Sequence, residues 1–229
     1  MLERLKKEVL KANLDLVKLG LVTLTWGNVS GIDRSKGWIV IKPSGVDYNK
    51  LTIKNMVVVD LNGKVVEGKK RPSSDTPAHI ELYKTFPEVG GITHTHSKYA
   101  TMFAQACKEI PCLGTTHADH FYGAIPITRF LTEEEVNSDY ELNTGKVIVE
   151  RFENINPVNM PGVLVAGHAP FCFGKSAAES VRNGLILERV AEMALGTFQL
   201  NPGTKELLKY ISEKHYKRKH GPDAYYGQR

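Results

Sequence analysis

The sequence predicts an α/β protein, on three observations. Apolar stripes with helical spacing open and close the chain. Short β-branched and aromatic runs lie between them, and Gly, Pro and Asn punctuate the boundaries. The first stripe is Leu2, Leu5, Val9, Ala12, Leu16 and Leu19, stopped by Gly20. Thr23 to Gly31 and then Trp38-Ile39-Val40-Ile41 read as short strands joined by turns. Met56 to Val66 reads as a hairpin turning at Asn62-Gly63. A helix follows with Thr76 as N-cap and Pro77 at its first position, running through Ile80, Leu82 and Tyr83 to Phe86.

Gly91-Ile92-Thr93-His94-Thr95-His96 is the next strand, and Ser97 caps a helix that buries Ala100, Phe103 and Cys107. Thr115 to Gly123 is a polar loop, and residues 132–150 give a surface helix followed by a strand at Val147-Ile148-Val149. Val163 to Val165 makes another strand, ending at Gly167-His168-Ala169-Pro170. Ser176 and Glu179 form a capping box for a long helix reaching Phe198, apolar on more than one side and therefore central. After the break at Asn201-Pro202-Gly203, Thr204 opens a final helix with Leu208, Ile211, His215 and Arg218 on one stripe. Two tyrosines in the Gly/Pro-containing tail, Tyr225 and Tyr226, imply that the tail docks rather than hangs free.

Composition bounds the function. The 229 residues are 41% hydrophobic and 24% charged, which suits one globular domain over 1–229. Net charge is +5 with a pI of about 9.0, compatible with a small anionic substrate. The one basic cluster, Lys214 to Lys219, lies in the final helix, so no nucleic-acid surface is expected. Cys107, Cys112 and Cys172 form no C-x-x-C pair and point to a reducing cytoplasm. A charged N-terminus and the lack of any long apolar run argue against a signal peptide or a membrane span.

The chemistry centres on His94 and His96. Side chains two apart on a strand share a face, so two imidazoles there can meet one metal ion. His168, directly after a second strand, offers a third nitrogen, and Asp75 offers an oxygen. Lys42-Pro43-Ser44-Gly45 reads either as an ordinary turn or as an anion site of amides, hydroxyl and ammonium. Ser73, Ser74 and Asp75 precede a helix N-terminus, where phosphates bind, although Asp75 also reads as an extra cap. Asp119, beside His117 and His120, is a candidate for proton transfer or part of a hydrogen-bonded loop. His215 reads as a half-buried histidine or as a partner for an anion.

Taken in order, Trp26-Gly27-Asn28, Lys42-Pro43-Ser44-Gly45, Arg71 to Thr76, Thr93 to His96, Gly114 to Asp119, Gly167 to Phe171, His215 to His220 and Tyr225 to Gln228 resemble one pattern. It is that of the class II sugar-phosphate aldolase/epimerase superfamily, on its L-ribulose-5-phosphate 4-epimerase side. The resemblance implies a three-layer alpha/beta/alpha sandwich around a mostly antiparallel central sheet. It implies His94, His96 and His168 as metal ligands with Asp75 as fourth ligand or close neighbour. Gly27, Asn28, Lys42, Ser44, Gly45, Ser73 and Ser74 become the phosphate pocket, and Thr115 a further substrate contact. Asp119 and Tyr226 become the acid/base pair, with Tyr226 supplied by a neighbouring subunit. His215 and Arg218 reach across to the same site in a homotetramer with shared active sites.

The implied reaction is epimerisation at C4 of L-ribulose 5-phosphate by retro-aldol cleavage and re-addition. It needs a divalent metal, zinc first, with manganese or cobalt also suitable. Class II aldolases of the fuculose or rhamnulose 1-phosphate type are the rival, but they carry glutamate where this chain has Asp75. Two positions depart from the family pattern, His120 for a tyrosine and Ala166 for a histidine found in some members.

Overall fold

Alternating side chains on two neighbouring strands dictate the layering. Ile39 and Ile41 share one buried cluster with Val57 and Val59, while Val40 and Val58 belong to a second. A strand buried on both faces needs cover on both faces. The computed structural model, which describes residues 2–220 and 224–226, supplies it.

The chain runs α1 (Leu2–Lys18), β1 (Gly27–Asp33), β2 (Trp38–Ile41), β3 (Val57–Asp60), β4 (Val65–Glu67), α2 (Thr76–Thr85), β5 (Gly91–Thr95) and α3 (Lys98–Gln105). It continues through α4 (Thr115–Ala118), α5 (Glu133–Asn137), α6 (Tyr140–Arg151), β6 (Gly162–Leu164), β7 (Pro170–Gly174), α7 (Ala177–Leu200) and α8 (Lys209–His220). The seven strands form one sheet in the order β4-β3-β2-β1-β5-β7-β6, with every named pairing antiparallel. Helices α1 and α7 pack on one face, joined through Val9, Val29, Val40, Ala177 and Val181. The paired helices α2 and α6 pack against the other, where Ile80, Leu82 and Ile148 join the larger cluster. The α/β sandwich and its antiparallel sheet agree with the expectation.

Several local expectations need correction. The run Val147-Ile148-Val149 is helical, not a strand, because it belongs to α6, which lies tightly on α2. A Cβ built on Gly145 would stand 2.9 Å from the Glu81 Cβ and 3.0 Å from the Ala78 Cα. Asp75 rather than Thr76 occupies the N-cap position of α2, and the Thr76 hydroxyl donates to the Ser73 carbonyl. The Ser97 side chain makes no cap bond. Instead the buried Glu188 carboxylate of α7 accepts from the Tyr99 and Ala100 amides at 2.9 and 3.0 Å. Cys107 is exposed, at a positive φ of 52° just past α3. The final helix starts at Lys209, not Thr204. The Leu207 amide is tied to the Cys112 carbonyl at 2.8 Å, so those residues are spent crossing the surface, and Leu208 is left exposed.

Candidate active site

The site begins with the pairing of β1 and β5, which sets Asn28 opposite His94 and Gly27 opposite Thr95. Gly27 is required there. Its φ is 129°, and a Cβ would fall 2.8 Å from the His94 carbonyl oxygen. The His94 ring stacks on Phe171 of β7 at 4.3 Å, and its Nδ1 donates to the Pro170 carbonyl at 3.0 Å. That bond fixes the tautomer and leaves Nε2 as a free lone pair. His96 follows the end of β5, and His168 stands in the turn between β6 and β7. The three rings lie 5.0, 4.9 and 4.9 Å apart pairwise, with ligand atoms all within 4.8 Å of one another.

The donor set fits a divalent ion. Burial, and then the neighbouring imidazoles, lower the pKa values of His96 and His168 to about 4, so both rings are neutral at physiological pH. Neutral imidazole is the ligating form. Nδ1 of His168 is buried with no partner among the described residues, which an ion or a bridging water would satisfy. For Asp75, burial pushes the carboxyl up. His94 and His79, the Asn28 amide and His168 outweigh that and hold it below the usual carboxylate value. Its Oδ2 accepts from the Asn28 amide at 2.5 Å and makes no cap bond, so the extra-cap reading of Asp75 is set aside.

Beside the triad, two loops are clamped together. Pro43 bridges Pro72, the Ser44 amide donates to the Arg71 carbonyl at 3.0 Å, and the Ser73 amide donates to the Lys42 carbonyl at 2.9 Å. Those two amides are therefore not free for an anion, contrary to the simplest reading of the Lys42 turn. The Lys42 ammonium remains, on a residue only 2% exposed, and burial pushes its pKa down against the pull of Asp47 and Asp75. Asn28 donates to the Ser73 hydroxyl at 3.1 Å and so joins the two halves. One cavity of about 560 Å³ holds Gly27, Asn28, Lys42, Ser44, Gly45, Ser73, Ser74, Asp75 and the three histidines. It also holds Trp26, quoted from the sequence only within a motif, and Tyr140 and Glu141, which the sequence did not single out. Tyr140 and Glu141 open α6 inside an acidic stretch that looks like solvated surface.

The remaining predicted residues form a second cluster. Asp119 Oδ1 accepts from His215 Nδ1 and Arg218 Nε, both at 3.0 Å, and Oδ2 accepts from the other Arg218 nitrogen at 2.7 Å. The Lys219 ammonium is 3.5 Å away, and His220 Nε2 donates to the Asp119 carbonyl at 2.8 Å. Burial would raise the Asp119 carboxyl, but Arg218, His215 and Lys219 hold it below its usual value. Arg218 and Lys219 lie over the Tyr226 ring at 4.5 and 4.6 Å, and the amides of Tyr225 and Tyr226 donate to the Arg218 carbonyl. The expected docking of the tail thus occurs on α8 of the same protomer; Gly221 to Asp223 and Gly227 to Arg229 lie outside the described residues. Thr115 is exposed at the start of α4, which packs against α8, and it does not line the triad's cavity. His117 donates from Nε2 to the Gly123 carbonyl at 2.8 Å and serves the loop.

The two clusters occupy opposite ends of the sheet. The Tyr122 amide and the Tyr216 hydroxyl both donate to Asn159, just before β6 begins, whereas His168 follows the strand's far end. His120 and His220 share a cavity with Val89 and Gly174, at the Gly91–Gly174 end of the β5–β7 pair, while the His94–Phe171 pair is at the other end. Three strand steps separate those pairs, on the order of 10 Å at ~3.3 Å per residue. The arrangement with Asp119 beside its own protomer's metal ligands is therefore absent, and Asp119 and Tyr226 instead travel together.

Comparison with known proteins places these features. Residues 7–195 match the family model described as Class II Aldolase and Adducin N-terminal domain. The chain is 54% identical over 228 residues to proteins of Salmonella paratyphi A (strain ATCC 9150 / SARB42) and Salmonella typhi, covering 100% of each chain. Both relatives are named L-ribulose-5-phosphate 4-epimerase UlaF. Among solved structures, an L-fuculose 1-phosphate aldolase superposes with a TM-score of 0.80 at 25% identity, covering 94% of this chain and 95% of that one. An L-fuculose 1-phosphate aldolase from Glaciozyma antarctica PI12 shares the fold with a TM-score of 0.78 at 19% identity, over 97% of this chain and 84% of that one.

Proposed function

This chain belongs to the class II aldolase and adducin family, and from that premise we propose that it is an isomerase converting L-ribulose 5-phosphate to D-xylulose 5-phosphate by inversion at C4. The observation that carries the reading is one cavity joining the convergent His94, His96 and His168 to the buried Lys42 ammonium. Full-length similarity to two epimerases supports the substrate.

C4 of this ketose carries no acidic hydrogen, because the carbonyl is at C2, so direct deprotonation there is unreasonable. Cleaving and remaking the C3–C4 bond inverts C4 if the released aldehyde turns before it is attacked again. His94, His96 and His168, with Asp75 as fourth ligand or neighbour, would hold a divalent cation, zinc first, with manganese or cobalt also fitting. Bound there, the ion supplies Lewis acidity toward the ketose oxygens. Lys42 with the hydroxyls of Ser44, Ser73 and Ser74 holds the phosphate, so the aldehyde fragment turns without leaving. The C4 hydroxyl loses its proton as the bond breaks and regains one on re-addition. Asp119 and Tyr226 are the groups for those two transfers, one on each face. Their distance from the triad within a protomer supports a homotetramer in which a neighbour brings both, with His215 and Arg218, to the metal. A cytoplasmic enzyme is consistent with three free cysteines, and among the described residues no helix is long and apolar enough to cross a membrane.

A class II aldolase acting on fuculose 1-phosphate is the second reading, supported by the 25%-identical structure. Asp75, where such aldolases resemble one another in carrying glutamate, favours the epimerase. Elemental analysis of the purified protein, run with assays on L-ribulose 5-phosphate and L-fuculose 1-phosphate, decides between them. About one bound divalent ion per protomer with D-xylulose 5-phosphate as product is expected. Cleavage of fuculose 1-phosphate without epimerisation would overturn the proposal.

A further inference from the structure

We propose that Tyr48 is a positioning residue that holds the phosphate-binding end of the site at a fixed span from the metal-binding end, through its ring to Lys42 and its hydroxyl to Gly27. The inference rests on the reading of the Lys42 turn as the phosphate site. Lys42 is 2% exposed; among the described residues it forms no ion pair, and its ammonium's one hydrogen-bond partner is the Pro43 carbonyl at 3.5 Å. A buried ammonium without a carboxylate is costly unless something else stabilises it. The Tyr48 ring lies 4.9 Å from the Lys42 nitrogen, within the range where an aromatic face attracts a cation. Such a face stabilises the ammonium without neutralising it, which leaves the charge available to an incoming anion. A carboxylate in the same place would compete with phosphate.

The other end of Tyr48 does separate work. Its hydroxyl donates to the Gly27 carbonyl at 2.8 Å. Gly27 is the residue whose backbone presses against His94, where any Cβ would collide with the His94 carbonyl oxygen. The tyrosine is itself 6% exposed and packed in the α1-side cluster with Leu16, Val40 and Met56. One rigid side chain therefore links the ammonium to the backbone that abuts the metal ligands. A substrate that bridges both needs that span held within a fraction of an ångström.

Two variants separate the roles, with inorganic phosphate as the probe, titrated calorimetrically into the metal-loaded enzyme. Tyr48→Leu, which removes the ring, is expected to weaken phosphate binding about tenfold and to raise KM more than it lowers kcat. Tyr48→Phe, which keeps the ring, is expected to restore phosphate binding to near the wild-type value while kcat/KM stays several-fold low. Metal content and the melting temperature check that each variant is folded. A folded leucine variant that binds phosphate like wild type would overturn the proposal. So would a phenylalanine variant equal to wild type in both measurements, which keeps the test intact if the leucine variant fails to fold. If Lys42→Met leaves phosphate binding unchanged, the phosphate-site reading itself is wrong, an outcome distinct from failure of the Tyr48 role.

Discussion

At one end of the sheet, the functional groups stand on strand termini and the turns that join them. His94 is buried, stacked on Phe171 and hydrogen-bonded to Pro170, and Gly27 is wedged against its backbone. At the other end, Asp119 is held by the C-terminal helix through charge, with Arg218, His215 and Lys219 around one carboxylate and Tyr226 laid over two of the cations. The first end is fixed by packing and backbone pairing, which salt leaves alone. The second is fixed by ion pairs that α8 lays over a largely buried Asp119, with His215, Arg218 and Lys219 only partly exposed, so added salt weakens them only in part. Under the proposed function, a metal held rigidly at one end and a proton group offered to a neighbouring chain at the other give a reason to build the two halves in these different ways.

The sharpest way to break the comparison is to disable one end at a time. His94→Asn should release the metal and lower turnover by at least about 10³-fold, with metal content measured alongside the rate. Asp119→Asn should keep its metal and still lose about 10²–10⁴ in turnover. Mixing these two inactive proteins, with mixed oligomers verified, should restore activity by pairing an intact metal pocket with an intact proton cluster. Mixing Asp119→Asn with Tyr226→Phe should restore little, because both lesions fall in the same cluster. Wild-type recovery in that second mixture would disprove the joint delivery of Asp119 and Tyr226.

A smaller effect is expected from Arg218→Gln, which removes a charged, bidentate partner from Asp119. Such a bond contributes ~1.5–3 kcal/mol, so turnover should fall roughly 10- to 100-fold. The acid limb of the pH–rate profile should also move up, because the Asp119 carboxyl loses the main group holding it down. An unmoved acid limb would mean that Arg218 does not tune Asp119.

Acid should separate the two ends as well. His96 and His168 have pKa values near 4 in the folded protein against an ordinary 6.5. Between those values the unfolded chain binds more protons, so stability of the metal-free protein falls as pH drops from about 6.5 to 4. Asp119 is depressed in the folded state, so its contribution is present above 3.8 and disappears only as pH falls through its lower folded value. Melting temperatures of the metal-free protein across pH 7 to 4 should therefore decline more shallowly in His168→Asn than in wild type, while Asp119→Asn leaves the slope unchanged. The smallest effect belongs to Lys219→Gln. Its ammonium sits 3.5 Å from Asp119 beside two better partners, and a change under about 1 kcal/mol, read as turnover within roughly fivefold, is expected.

Local periodicity and turn chemistry determined most of the elements. The α1 stripe, the Asn62-Gly63 hairpin and the Pro77 helix start are encoded within a few residues, where sequence spacing equals spatial spacing. His94-x-His96 was legible for the same reason, since the strand repeat alone puts both rings on one face. Only the tertiary structure decided what depends on distant partners. Val147 to Val149 is helical because α6 must lie on Ala78 and Glu81, a neighbour some seventy residues away in the chain. Tyr140 and Glu141 enter the cavity because α6 packs where it does, and nothing in their own neighbourhood announces it. Asp119 and the histidine triad are separated because the segment after α4 and helix α8 dock at Asn159, before β6 begins, while His168 follows that strand's far end, and strand order is set by the packing of both faces rather than by any local signal.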